Sequence, residues 1–133
     1  MKITLTPTES EQLFHTALCN TYCLGTFNYY NLELYYGSDK YKAAKAKLDS
    51  PSNVSYTPCI EDIMMQILKD GGELRIIDQE DNEIVGSVTL QDIHNKMSDV
   101  PSQILLDMIN ENDDEMTADV LLQTLFFGEV VYG

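Results

Sequence analysis

The stretch that most constrains the fold is residues 56–90, where helix-type periodicity gives way to a β-hairpin and then returns. Thr57 as N-cap with Pro58 at the first helical position predicts a helix over Cys59–Lys69, and Asp70-Gly71-Gly72 stops it. Ile60, Ile63, Met64, Ile67 and Leu68 fall on one face of that helix. The chain then turns β-rich in Glu73–Ile77 and Glu83–Val88, split by the polar turn Asp78-Gln79-Glu80-Asp81-Asn82. A helix laid on such a hairpin is enough to found a small core.

The flanking segments read as further helices. Thr6-Pro7-Thr8-Glu9 makes a capping box ahead of an apolar stripe of Leu13, Phe14, Ala17, Leu18 and Tyr22, with Gly25 as the stop. Ile3-Thr4-Leu5 before it suits an edge strand. Residues 26–37 show no clean period and read as loop with short strand character. Ser38-Asp39 caps a helix near 39–48, Tyr41, Ala44 and Leu48 facing inward and Lys40, Lys42, Lys45 and Lys47 on its rim. Residues 49–53 read as a linker between elements. Thr89 caps a helix over 90–97 with Asp92 at N3, and Asp99-Val100-Pro101-Ser102 starts another that puts Ile104, Leu105, Met108 and Ile109 on one side. A last helix near 117–127 buries Val120, Leu121, Leu125 and Phe126, stops at Gly128, and leads to a terminal strand over 129–132 that extends the hairpin. With 133 residues and 44% hydrophobic content, the expectation is one helix-rich α+β domain over 1–133 with a small antiparallel sheet, the central hairpin at 73–88.

Charge divides the chain unequally. Through Lys69 there are seven acids and six bases, net −1; from Asp70 onward fifteen acids face Arg75 and Lys96 alone, net −13, and the two sum to the formal −14. Such a field repels nucleic acid and acidic membrane surfaces and attracts basic protein surfaces. An acidic coat also serves solubility alone. No apolar run is long enough to span a bilayer, and Met1-Lys2-Ile3-Thr4-Leu5 turns polar too soon for a secretory signal. Three cysteines without a framework spacing fit reduced thiols, so a cytoplasmic setting is expected.

Few residues offer chemistry. His15, Cys19 and Cys23 share a helical stripe, and Cys59 or His94 would complete four zinc ligands, but the spacing lacks the paired knuckle of structural zinc sites, and buried cysteine is commonly a small hydrophobe. Asp78–Glu83 departs from a calcium loop, with Glu83 where glycine belongs and Thr89 where the bidentate glutamate belongs. Phosphate loops, dinucleotide fingerprints and nucleophile elbows are absent from the sequence. No enzyme, metal or cofactor is expected. The tyrosines are the notable apolar feature: six of the eight lie between Tyr22 and Tyr41. Tyrosine suits interface centres because it joins a rigid apolar ring to one hydrogen-bonding tip, although about half of these rings are expected to fill the core instead.

The closing run Thr117–Gly133 resembles the end of small acidic proteins of phages and prophages from gut bacteria, and Gly71-Gly72-Glu73-Leu74-Arg75-Ile76-Ile77-Asp78 is similar to their hairpin entry. The resemblance implies a phage setting, where small acidic proteins often inhibit host defence, anti-CRISPR proteins that imitate DNA among them. The leading expectation is therefore a non-enzymatic interaction protein. Its acidic surface over 78–83, 92–99 and 107–119 would bind a basic, nucleic-acid-binding bacterial protein, without binding nucleic acid or membrane itself. Asp78, Glu80, Asp81, Glu83, Asp113, Asp114, Glu115 and Asp119 are the expected carboxylates, Tyr29, Tyr30, Tyr35 and Tyr36 the aromatic anchors, and a homodimer is left open. The alternatives are a signalling nucleotide held by the Tyr/Lys stretch 27–47, and a structural or regulatory phage component.

Overall fold

Capping geometry decides where most of the helices begin and end. The computed structural model describes residues 3–22, 25–48 and 59–133. In chain order it places α1 (Pro7–Tyr22), α2 (Thr26–Tyr29), β1 (Leu32–Tyr35), α3 (Ser38–Leu48), α4 (Ile60–Lys69), β2 (Glu73–Asp78), β3 (Glu83–Thr89), α5 (Leu90–Lys96), a 3₁₀ turn (Met97–Asp99), α6 (Ser102–Ile109) and α7 (Glu115–Phe127). The Thr6/Glu9 box forms as its residues dictate: Thr6 N–H donates to Glu9 Oε1 at 2.9 Å and Glu9 N–H to Thr6 Oγ1 at 3.2 Å. Thr89 and Asp92 close the same reciprocal box on α5. On α7 the box is Asp114 with Thr117, which starts that helix two residues before the expected 117. α4 ends in a Schellman turn, Gly72 N–H reaching Ile67 O and Gly71 N–H reaching Leu68 O, and Gly71 takes the left-handed φ of 90° this requires.

The sheet is antiparallel in the order β1-β2-β3, with Leu34 opposite Ile76 and Arg75 opposite Ser87. A bulge follows Ile76: Ile76 pairs with Gly86 but Ile77 with Ile84, leaving Val85 as the extra residue. Leu32, Leu34, Leu74, Ile76 and Val88 are all buried on one face, which the helices cover. Glu33, Tyr35 and Ser87 are exposed on the other. α1 packs against α4, α5 and α7, carrying Phe14 and Leu18 into a continuous core with Met64, Leu68, Ile93 and Leu125. α4 is buried on a second side as well, where Ile63 and Ile67 meet Ala44 of α3, with Tyr36, Tyr41 and Leu48 packed around them. Gly86 is what lets α7 lie close on β3: a Cβ there would sit 2.8 Å from the Phe127 ring and 2.9 Å from Phe126 O. The α+β architecture is as the sequence predicts, and among the described residues no helix is long and apolar enough to cross a membrane.

Several local expectations are corrected. Residues 3–6 form no strand; Ile3 and Leu5 pack on the core as partly buried side chains without a ladder partner. The third strand is β1, within the stretch read mainly as loop, where Asn31 takes a left-handed φ of 60° between α2 and β1. Residues 129–132 are not a strand either; the amides of Val131 and Tyr132 and the carbonyl of Tyr132 bond the Gln123 side chain of α7 instead of a ladder. α3 is capped by Gly37, whose carbonyl accepts from Tyr41 N–H at 3.0 Å, so Ser38 lies inside the helix. Cys59 is extended and caps α4, which starts at Ile60. Thr57 and Pro58, the linker at 49–53, and Cys23 fall outside the described residues.

Candidate interaction surface

A row of aromatic rings runs from the core to solvent. Phe14 lies 6.3 Å from Phe126, Phe126 is 6.4 Å from Phe127, Phe127 is 5.5 Å from Tyr132, Tyr132 is 5.7 Å from Tyr30, and Tyr30 is 5.4 Å from Tyr29. Phe14 is fully buried and Tyr29 is 86% exposed, so the row emerges at Tyr29. These spacings are those of favourable offset and edge-on ring pairs.

Gln123 holds the row together. It is 4% exposed, and its amide makes four hydrogen bonds. Oε1 accepts from Val131 N–H at 2.7 Å and from Tyr132 N–H at 2.8 Å. Nε2 donates to Tyr132 O at 2.9 Å and to Asp119 Oδ1 at 2.9 Å. Both lone pairs and both protons of the amide are used, which fixes its orientation. Asp119 in turn accepts the Tyr30 hydroxyl on Oδ2 at 2.5 Å. The terminal segment is thus seated by one glutamine, and Tyr132 fills the gap between Phe127 and Tyr30.

Two acidic segments meet this row. Burial, then the bond and charge of Asp119, with Tyr29 and Glu115 adding, push the Tyr30 phenol up to about 12. Burial and then Asp78 and Asp81 raise that of Tyr132. The geometry puts both acidic segments beside Tyr30: Asp119 of α7 is bonded to its hydroxyl, and the hairpin end pairs with the residues that follow it, Gln79 N–H with Asn31 O and Asp78 opposite Leu32. None of the ion pairs among the described residues involves these four carboxylates.

The expected site residues therefore divide. Asp119, Tyr29 and Tyr30 are in direct contact, Asp78 is paired two residues on at Leu32 with Asp81 in the turn after it, and Glu115 lies one turn before Asp119 on α7. Glu80 and Glu83 are exposed in the same turn, whose shape Asp78 and Asp81 set by accepting from Glu80 N–H and Glu83 N–H. Asp113 accepts from Asn20 Nδ2 at 2.5 Å, and Asp114 is occupied as the α7 cap, so both have structural work. Tyr35 and Tyr36 form a separate group: Tyr36 stacks on Tyr41 at 5.6 Å, and Tyr35 is 46% exposed. Tyr132, Phe127 and Gln123 were not anticipated. The aromatic doublet Phe126-Phe127 and the lone Tyr132 were the available signal, hidden by reading 129–132 as a strand.

The remaining candidates resolve into pairs. His15 Nε2 lies 2.8 Å from Asp62 of α4, and His94 Nε2 lies 2.8 Å from Glu11 of α1, each joining two helices. Local desolvation and the side chains of Glu61 and Asp62 push the exposed Cys59 thiol up, away from a reactive thiolate. Among the described residues no three His, Cys, Asp or Glu side chains gather to hold a metal ion. A cavity of about 420 Å³ is lined by Tyr35, Tyr36, Lys40, Gly72 and Arg75, the last paired with Glu73 at 2.5 Å. Lys42, Lys45 and Lys47 do not line it, and Lys47 pairs with Asp70. The fold and this surface define an α+β domain with an acidic, aromatic face. No family model, curated protein or solved structure matches the chain.

Proposed function

We propose that this protein is a non-enzymatic, phage-type inhibitor that presents its acidic, aromatic face to a basic, nucleic-acid-binding bacterial protein, such as a CRISPR nuclease, in the host cytoplasm. The observation that carries the reading is the ring row that ends in exposed Tyr29, with Asp119 bonded to Tyr30 and the acidic hairpin end paired to the residues just after it, Asn31 and Leu32. Carboxylates on such a face stand in for phosphates, and the rings supply apolar contact and a surface for arginine stacking. Binding of this kind starts fast and weakens with salt.

The test is capture of tagged protein on immobilised support from bacterial lysate, with elution in rising salt. A basic nucleic-acid-binding protein that leaves at moderate salt and is displaced by duplex DNA supports the reading; retention indifferent to salt overturns it. Glu80→Lys with Glu115→Lys should weaken the complex more than the equal charge change Asp99→Lys with Asp107→Lys.

A second reading has one observation in its favour. The cavity between Tyr35, Tyr36, Lys40 and Arg75 joins rings to cations, as a small nucleotide requires. A rise in melting temperature with one of a panel of cyclic and linear nucleotides would move the assignment there.

A further inference from the structure

The sheet has two edges, and they differ. β3 is bulged at Val85 and begins with exposed Glu83, features that turn an edge away from further pairing. β1 keeps an unbroken register with β2, and its free side faces a cavity of about 510 Å³ lined by Gly25, Phe27, Asn28, Glu33, Ser38 and Gln79 among others.

The backbone points into that cavity. Gln79 N–H donates to Asn31 O at 3.1 Å, which makes Asn31 and Gln79 a bonded pair. By the alternation of an antiparallel ladder, Glu33 and Tyr35 then turn their N–H and C=O groups to β2, and Leu32 and Leu34 turn theirs to the free side. Gln79 Nε2 reaches Leu32 O at 3.4 Å. Among the described residues, no hydrogen bond is made by the backbone of Leu34 on that side. A half-enclosed strand edge whose Leu34 backbone makes no hydrogen bond among the described residues is a template for another strand.

We propose that this groove takes an extended peptide segment with basic side chains, which pairs with β1 as a fourth strand. The charge of the occupant follows from its surroundings. Glu33 lines the cavity, and its far end is Gln79, in the turn that also carries Asp78, Glu80 and Asp81. A second copy of the chain would set those carboxylates against their own image at a net −14 apiece. A basic segment is met by them instead. The inference takes from the functional reading that the partner is basic; the groove borders the turn carboxylates of the ring-row face, while Glu33 and the ladder groups of β1 belong to it alone.

The experiment uses the full chain and a fluorescein-labelled peptide Lys-Val-Lys-Val-Lys-Val-Lys, followed by anisotropy and by amide hydrogen exchange. The expected result is saturable binding that slows exchange at Leu32 and Leu34. Methylating alternate peptide nitrogens should weaken binding by about tenfold or more, since it removes ladder bonds and keeps the charge. Glu33→Lys should lower affinity for this peptide and raise it for the Glu-Val counterpart. Glu115→Lys, which lines no part of the cavity, should leave protection at Leu34 unchanged even where it abolishes capture of the protein partner. Equal binding of the methylated peptide, or protection that appears at the hairpin turn and not at Leu34, would overturn the proposal. So would self-association of the chain through β1.

Discussion

Replacing Gln123 with alanine should detach the terminal segment without unfolding the domain. The side chain is 4% exposed and makes four hydrogen bonds, three of them to the backbone of Val131 and Tyr132. At a net value of about 1 kcal/mol per bond, the largest loss is about 4 kcal/mol. The true cost is smaller, because Val131 is 58% exposed and Tyr132 is half-buried at the chain's surface, so the released amides reach water. The freed residues also regain conformational entropy. Asp119 keeps its bond from Tyr30. We therefore expect Gln123→Ala to cost about 1–2 kcal/mol in urea unfolding, with an unchanged denaturant slope, since the released segment contributes little of the surface exposed on unfolding. Hydrogen exchange should show protection lost at Val131 and Tyr132 and kept through α7. Gln123→Glu separates the hydrogen bonds from the packing. Its carboxylate still accepts from both amides but has no proton for Tyr132 O or Asp119 and adds a charge beside the latter, so its penalty should shrink as pH falls and the new carboxyl protonates. Unchanged protection at Val131 and Tyr132 in Gln123→Ala would refute the reasoning, as would a stability loss well above 4 kcal/mol.

Three further outcomes follow from the geometry. Tyr30 holds its proton to about pH 12 in the folded state and to about 10 when unfolded, so its contribution is complete below pH 10 and is lost between 10 and 12; alkaline unfolding of Tyr30→Phe should lack that component, and an identical pH profile would remove Tyr30 from the network. Gly86→Ala forces a methyl against the Phe127 ring and Phe126 O, and overpacking of this kind should cost about 1–3 kcal/mol in thermal or urea unfolding; a neutral result would mean α7 slides freely on β3. Asp114→Ala removes the α7 cap and should cost about 1 kcal/mol, whereas Glu115→Ala beside it should be nearly neutral in stability; equal effects would show that charge at the helix start matters and the side-chain bond does not.

The helix starts at Thr6 and Thr89, the stops at Gly71 and Gly128, and the hairpin turn were legible because each depends on residues within a few positions of one another. The inward faces of α4 and α7 were legible by periodicity. β1 was not, since Leu32–Tyr35 is four residues long and acquires a strand's hydrogen bonds only from Ile76 and its neighbours, more than forty positions away. The terminal segment misled for the opposite reason. Val130-Val131-Tyr132 has strand composition, yet composition says nothing about whether an edge or a glutamine will meet its amides.

What the sequence determined alone was the α+β class, the uneven charge and the identity of the acidic and aromatic residues, all properties of local pattern and composition. Which of those residues act together was decided by tertiary structure. Tyr30, Asp119 and Tyr132 are scattered over a hundred positions, and one buried amide with four partners sets their arrangement. Tyr35 and Tyr36, only five and six positions after Tyr30, were carried to a different group because β1 runs away from the ring row along the sheet. Sequence proximity fixes the spacing of side chains along a strand or helix, whereas the direction of that element is set by what it packs and pairs with.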